Sequence, residues 1–472
     1  MLRRRIGVRT AIVGFVLLFP ISLGAHRATE ITFSKDVAPI FYKRCVHCHH
    51  PDDVAPMSLL NYSEARPWAK SIREAVVTRR MPPWHADPRY GRFENDPSLS
   101  QEEIDTIRAW VDQGAKEGDR KVLPPAFTEG WRIGKPDAII SMPAEYNIAP
   151  NAPDDYQNFP NIPTNFKEDV WIKAIELRPG NRRVVHHAHV FLTRPKSAKN
   201  GTAAGQSLLE RYTYTEQTLL RMRPEAPVID DACRDIGEGG LPDRKFHEET
   251  QILTTYVPGR APEVYPDGYA RLIPAGSTIG FQIHYAKGIG KEEKDRTSVG
   301  LIFAEGPPKK VLRRLDMDAF LFRIPPGAAN HEVTFCYEFK QDSRLLALTP
   351  HMHLRGKAMK WELLRPDAVK ETLLFIPRYD FNWQIEYKMK ELISVPKGSR
   401  LIITAHFDNS ANNPANPDPT KTVRWGAPTT DEMAASWVIF ELTEEPASQT
   451  QHSSSSRMKG PSNLRSPAGT NK

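Results

Sequence analysis

From about residue 125 onward the apolar side chains recur at every second position, and no other feature constrains the fold as strongly. In "STIGFQIHYAKG", Ile279, Phe281, Ile283 and Tyr285 fall on one face while Gln282 and His284 fall on the other. That alternation belongs to a strand buried on one side. "HEVTFCYEF" and "SRLIITAHF" behave likewise. The 41 prolines in 472 residues cut such runs short, because proline fixes its own φ and cannot donate to a ladder. Strands separated by Pro and Gly turns, without helices between them, predict antiparallel sandwiches.

The chain ahead of this region is patterned differently. "SLSQEEIDTIRAWVDQGAKEG" offers Ser100 as an N-cap, acids in the first turn, and Ile104, Ile107, Trp110 and Val111 at helical spacing. Upstream, "KRCVHCHH" contains Cys45-Val46-His47-Cys48-His49, the CxxCH attachment motif of c-type haem. On one helical turn, positions i, i+3 and i+4 share a face, so both thiols reach the haem vinyl groups while His49 points at the iron. The competing reading is a zinc site or a redox dithiol. For the sixth iron ligand, "TRRMPPWHADP" supplies Met81 ahead of two prolines, with Met57 and His85 as rivals. Residues 30–120 resemble a small class I cytochrome c, and "GDRKVLPP" reads as a linker.

Seven of the histidines in the strand region stand out: His186, His187 and His189 in "RRVVHHAHVFL", His284 in "FQIHYAKG", His351 and His353 in "ALTPHMHLRGKAM", and His406 in "TAHFDNS". Residues i and i+2 of a strand share a face, so His351 and His353 are placed to share a metal. By the same alternation His187 pairs with His189. His186 and His187 can share one ion only at a bulge or a strong twist.

"VVHHAHVFL", "IHY", "PHMHLRGK" and "TTDEM", in that order, resemble the copper type II, ascorbate-dependent monooxygenases, the family of peptidylglycine alpha-hydroxylating monooxygenase and dopamine beta-hydroxylase. The resemblance covers roughly residues 130 to 445. It implies two jelly-roll-like β-domains, each carrying one copper ion, facing across an open cleft. It implies an electron-transfer copper on His186, His187 and His284, with His189 as substitute. It implies an oxygen-binding copper on His351, His353 and Met433, and His406, to which no family ligand corresponds, is kept as the spare; a thioether beside two imidazoles is a soft set that favours Cu(I). Where the peptidylglycine enzymes anchor a substrate carboxylate with arginine, asparagine and tyrosine, this chain has Thr349, Ala435 and Trp437. Glycine-extended peptides are therefore not the expected substrate. The family's many disulfides are also missing; Cys233 and Cys336 remain beside the CxxCH pair, and free thiols are the favoured reading.

The expected organisation is a signal peptide over 1–25, an all-α cytochrome c domain over 30–120, antiparallel β-sandwich domains over 125–306 and 307–445, and a Ser-rich disordered tail over 446–472. The apolar run from Ala11 to Ala25, behind Arg3, Arg4 and Arg5, is shorter than the roughly 20 residues that span a bilayer. Bacterial export to the periplasm or medium is expected, with no stable membrane insertion after signal removal; an uncleaved anchor is the alternative reading of the same run. Much of the net charge of +7 lies at the two ends, and no basic patch interleaved with aromatics stands out, which excludes nucleic acid as a partner. The expected activity is hydroxylation of a C–H bond in a small molecule with O2. Its cofactors are two copper ions and a covalent haem c, whose iron relays electrons from an external donor, ascorbate or a redox protein. The fusion makes that relay intramolecular. The alternative is a periplasmic copper-binding and electron-transfer protein without catalysis.

Overall fold

The computed structural model describes residues 30–51, 53, 55–120, 130–152, 155–195, 250–286, 288–306, 308–319, 322–426 and 428–444. The expected signal peptide, the expected tail and Cys233 lie outside the described residues.

Among those described, only three α-helices exceed four residues: Ala38–Arg44, Ala69–Val77 and Gln101–Asp112. The last begins at Ser100, whose hydroxyl accepts from the Glu103 N–H while the Glu103 carboxylate accepts from the Ser100 N–H. Two otherwise orphaned donors at the helix start are thereby satisfied. Ile104, Ile107 and Trp110 face inward from it. Trp110 meets Phe33 and Phe41 with ring centroids 5.9 and 6.4 Å away, which gives the helices a small aromatic core.

The expected all-α cytochrome c domain followed by two β-sandwiches is not the fold of this chain. Strands dominate, and they form four principal sheets in the manner of a four-bladed propeller. The reason is visible between Met81 and Asp96. Pro82, Pro83 and Pro88 exclude helix there. The segment instead leaves the helices and lies along the strand Tyr387–Val395, with Glu94 N–H donating to Lys388 O (2.9 Å) and Lys390 N–H donating to Arg92 O (2.9 Å). Trp84 and Phe93 pack their rings on Tyr387, at 4.7 and 5.4 Å. Apolar side chains that an all-α unit would bury within itself are thus spent on the β core.

A six-stranded sheet is built on Val170–Arg178 and Ser298–Phe303. The sheet beside it runs Asp155–Pro163, Thr278–Tyr285, Val185–Thr193, Thr250–Tyr256. One apolar cluster, with Ile175, Val190, Phe281 and Leu301, fills the space between these two sheets. A third sheet runs Arg313–Asp318, Ala435–Leu442, Ser343–His351, Tyr387–Val395, and a fourth runs His331–Glu338, Arg400–Phe407, Gly356–Leu364, Lys370–Ile376. Trp361, Leu348, Ile403 and Val438 belong to their common core. The two halves meet where Phe191 and Ile252 bury Trp437, and on that line of contact the histidines lie. No helix among the described residues is long and apolar enough to cross a membrane.

Candidate metal centre

The first histidine group is made by an irregularity in a ladder. The strand Val185–Thr193 pairs antiparallel with Thr278–Tyr285, and the register slips between Val185, opposite Tyr285, and His187, opposite His284. His186 takes the extra position. A regular strand would send His186 and His187 to opposite faces; the slip brings both to His284. Nitrogen atoms of these three imidazoles lie within 4.8 Å of one another. Two donors each about 2 Å from one ion span at most ~4 Å, so an ion would draw them in by less than an ångström. Tyr156 stacks flat on His284, at 4.2 Å and 5°, and fixes that ring. Burial, and then the neighbouring imidazole of His284, hold His187 well below the usual histidine range, so it is neutral and able to ligate. The donor set fits a borderline or soft ion such as copper.

His189, the alternative that regular alternation favours, is buried but engaged elsewhere. Its Nδ1 lies 3.0 Å from Thr255 Oγ1, and its ring faces Trp437 at 5.6 Å.

The second group sits where the strand Ser343–His351 ends. His351 and His353 are buried, with ring centroids 5.2 Å apart and planes perpendicular. Gln384 Nε2 donates to Phe381 O at 3.1 Å, which turns Gln384 Oε1 toward Nδ1 of His351. His353 directs its Nδ1 to the carbonyl oxygen of Asp431 at 3.3 Å. An acceptor at Nδ1 places the proton there and leaves Nε2 of each ring as the bare donor. Burial lowers His351 to about 4 and His353 well below the usual range.

Glu432, fully buried, ties Met433 to this pair. Its carboxyl accepts the N–H of His353 (2.8 Å), Arg355 (2.6 Å) and Met433 (3.2 Å). Met433 is half-buried against the C-terminal core. His406 stands apart, paired across the ladder with Glu332 and 3.8 Å from its carboxylate. Arg355 is buried too, held by Asn409 and Thr430 O. Glu432 and Gln384 escaped the sequence reading; Glu432 stands inside "DEM", and Gln384 only in an aromatic-rich run that carries no metal-ligand spacing.

The two groups are not separated by an open cleft. Phe381 stacks on His186 at 5.2 Å and meets His353 at 6.0 Å, while Trp437 lies 5.2 Å from His351 and 5.6 Å from His189. One aromatic ring, Phe381, therefore touches both groups, while Trp437 joins His351 to His189 beside the first group. Nearby, Arg260 crosses between the halves, donating to Glu263 (3.1 Å) and Glu386 (2.8 Å), all three nearly excluded from solvent.

In the CxxCH segment, Cys45 and Cys48 are free and their backbone makes a helical turn, His49 N–H donating to Cys45 O at 3.0 Å. Burial pushes the thiols up to about 12 and about 11, so neither is a reactive thiolate at neutral pH. His49 Nδ1 lies 3.2 Å from Met57 O, leaving Nε2 for a metal. Met81 is half-buried, and His85 is held by Arg378 O at 3.0 Å. Cys336 is disulfide-bonded, which corrects the expectation of a free thiol.

No curated protein matches the chain. Among solved structures it is similar to the major capsid protein P2 of bacteriophage PM2, with TM-score 0.21 and 10% identity over 65% of this chain and 99% of that one. A structure of the infectious bursal disease virus Gt strain gives TM-score 0.16 and 8% identity over 65% and 76%. The subviral particle of that virus's VP2 gives TM-score 0.16 and 10% identity over 67% and 83%. Likenesses this low carry no argument. Residues 319–460, the stretch that contains His351, His353, Glu432 and Met433, match the family described as copper type II ascorbate-dependent monooxygenase, C-terminal domain.

Proposed function

We propose that the chain is an exported copper monooxygenase that hydroxylates a C–H bond of a small molecule with O2. The observation that carries this reading is the pair of histidine groups that meet at Phe381, one of them inside the segment that matches a copper monooxygenase domain.

His186, His187 and His284 would hold one copper, and His351, His353 and Met433 the other. Bound copper supplies one-electron redox chemistry and the activation of O2. The chain's own residues do the remainder. Gln384 and Asp431 keep the protons of His351 and His353 at Nδ1. Glu432 fixes the turn that carries His353 together with Met433. Phe381 and Trp437 fill the space between the groups with apolar rings and keep water from it.

The site also argues for a substrate class. Thr349 stands opposite Trp437 and His351 opposite Ala435 in the ladder, so no cation flanks the second group at these positions. A substrate anchored there through an apolar face, without a carboxylate, suits it.

For electrons, the reading is a haem c on Cys45 and Cys48, with His49 and Met81 as axial ligands. It is proposed on the motif, and the all-α cytochrome fold has no part in it. Two placements support it: His49 presents Nε2, and Cys48 and Trp383, the neighbour of Gln384, both lie beside Gly259. A Cβ on Gly259 would stand 4.0 Å from Cys48 Sγ and 3.3 Å from the Trp383 ring.

The test is metal analysis of the purified chain, haem staining after denaturation, and mass spectrometry of products formed under labelled O2. Two coppers per chain and one labelled oxygen in the product are expected. Copper without any oxygen incorporation would leave a copper-binding protein in its place.

A further inference from the structure

A cleft of about 1000 Å³ opens where the CxxCH segment, the first half and the strand Tyr387–Val395 meet. Arg132, Arg178, Arg182, Arg296 and Lys388 line it, against one lining carboxylate, Glu94. Asp53, beside the cleft, pairs with Arg182 and lies 2.9 Å from His50 Nε2. Four cations remain against one acid. His47 and His50 also reach the cleft, and Arg132 and Arg182 lie close enough to Cys48 to act on it, so the cleft adjoins the CxxCH segment without being lined by Cys45, Cys48 or His49.

The wall is built into the fold. Arg178, Gly180 and Arg182 belong to one turn, which Asn181 pins through its N–H to Asp295 (3.0 Å) and its amide to Glu293 (2.7 Å). A Cβ on Gly180 would come within 2.6 Å of the Arg296 backbone nitrogen, so only glycine lets the turn press against Arg296. The Arg178 guanidinium lies over the Trp131 ring at 5.8 Å, which adds a flat apolar surface to the charged one.

We propose that this cleft binds a small organic anion, a carboxylate or an enediolate. Guanidinium groups take such oxygens through paired N–H donors, and Trp131 and Tyr265 cover the carbon skeleton. The site stands independently of the copper reading, because it uses none of those residues.

The experiment is calorimetric titration of the full chain with citrate, with ascorbate and with neutral glucose, at two salt concentrations. Citrate or ascorbate should bind saturably and more weakly at high salt, and glucose should not bind. Arg178→Gln should weaken the anion on the order of tenfold. Lys388→Gln, which leaves the Arg178–Trp131 pair in place, should weaken it in the same direction, and circular dichroism of both variants reports folding. Ascorbate competing with citrate would identify the site as one for an enediolate reductant, and citrate alone would identify a carboxylate site. The proposal is overturned if neither anion binds below about 10 mM, if both folded variants bind like the parent chain, or if neutral glucose binds as tightly as the anions.

Discussion

Gln384 sets the proton of His351. Its amide nitrogen is committed to Phe381 O at 3.1 Å, so only its oxygen can face the imidazole Nδ1. The ring must then present Nε2 unprotonated.

Gln384→Leu should therefore weaken copper at the His351 group about 10- to 100-fold and leave the three-histidine group unaffected. A chelator competition that follows each copper separately checks this. Equal affinity in parent and variant would mean that the proton is set elsewhere.

Glu432 accepts three backbone N–H groups in full burial, and burial pushes its own carboxyl up to about 8. Glu432→Ala strands all three donors and should cost about 3 kcal/mol, at roughly 1 kcal/mol for each hydrogen bond. Glu432→Gln keeps one acceptor oxygen and should cost less. Urea unfolding of the two variants gives the order.

Arg260 joins the halves through Glu263 and Glu386. Arg260→Met leaves two buried carboxylates without their shared cation, a loss of about 3–5 kcal/mol. Glu263 keeps Arg271 at 3.9 Å, so replacing Arg260 and Glu386 together by apolar residues of similar size should recover much of it. A double variant as unstable as the single one would show that the network itself, and not the uncompensated charge, sets the stability.

In the metal-free protein, His187, His189 and His353 lie well below the usual histidine range and His351 lies at about 4, each lowered chiefly by burial. Below pH ~6.5 the unfolded chain gains protons that the folded chain refuses. Their contribution to stability is thus complete above pH ~6.5 and is lost as pH falls toward 4, on the order of 3 kcal/mol for His351 alone. The urea midpoint measured at pH 7.5 and at pH 5 should drop accordingly, and a midpoint that stays level would contradict the neutral-histidine picture.

Period-two patterning made individual strands legible. Ile279, Phe281, Ile283 and Tyr285 are buried as the alternation requires, and the helix after Ser100 starts at its capping box. His351 and His353 do lie together, but the strand ends at His351, so the turn held by Glu432 and not strand alternation places His353. The fold class was misjudged because the sequence does not say where Trp84 and Phe93 bury; they pack on Tyr387, almost three hundred residues away in the chain.

By itself, then, the sequence determined what depends on neighbours along the chain: strand faces, the cap, the CxxCH turn and the adjacent histidines. Tertiary structure decided what depends on distant partners. Whether His186 joins His187 hinges on a one-residue slip against the strand of His284, and a slip is a property of two strands. Arg132, Arg178, Arg182, Arg296 and Lys388 form no run in the sequence and gather at one cleft only after folding. Periodicity reports which side of an element is buried, whereas a site is made by which elements meet.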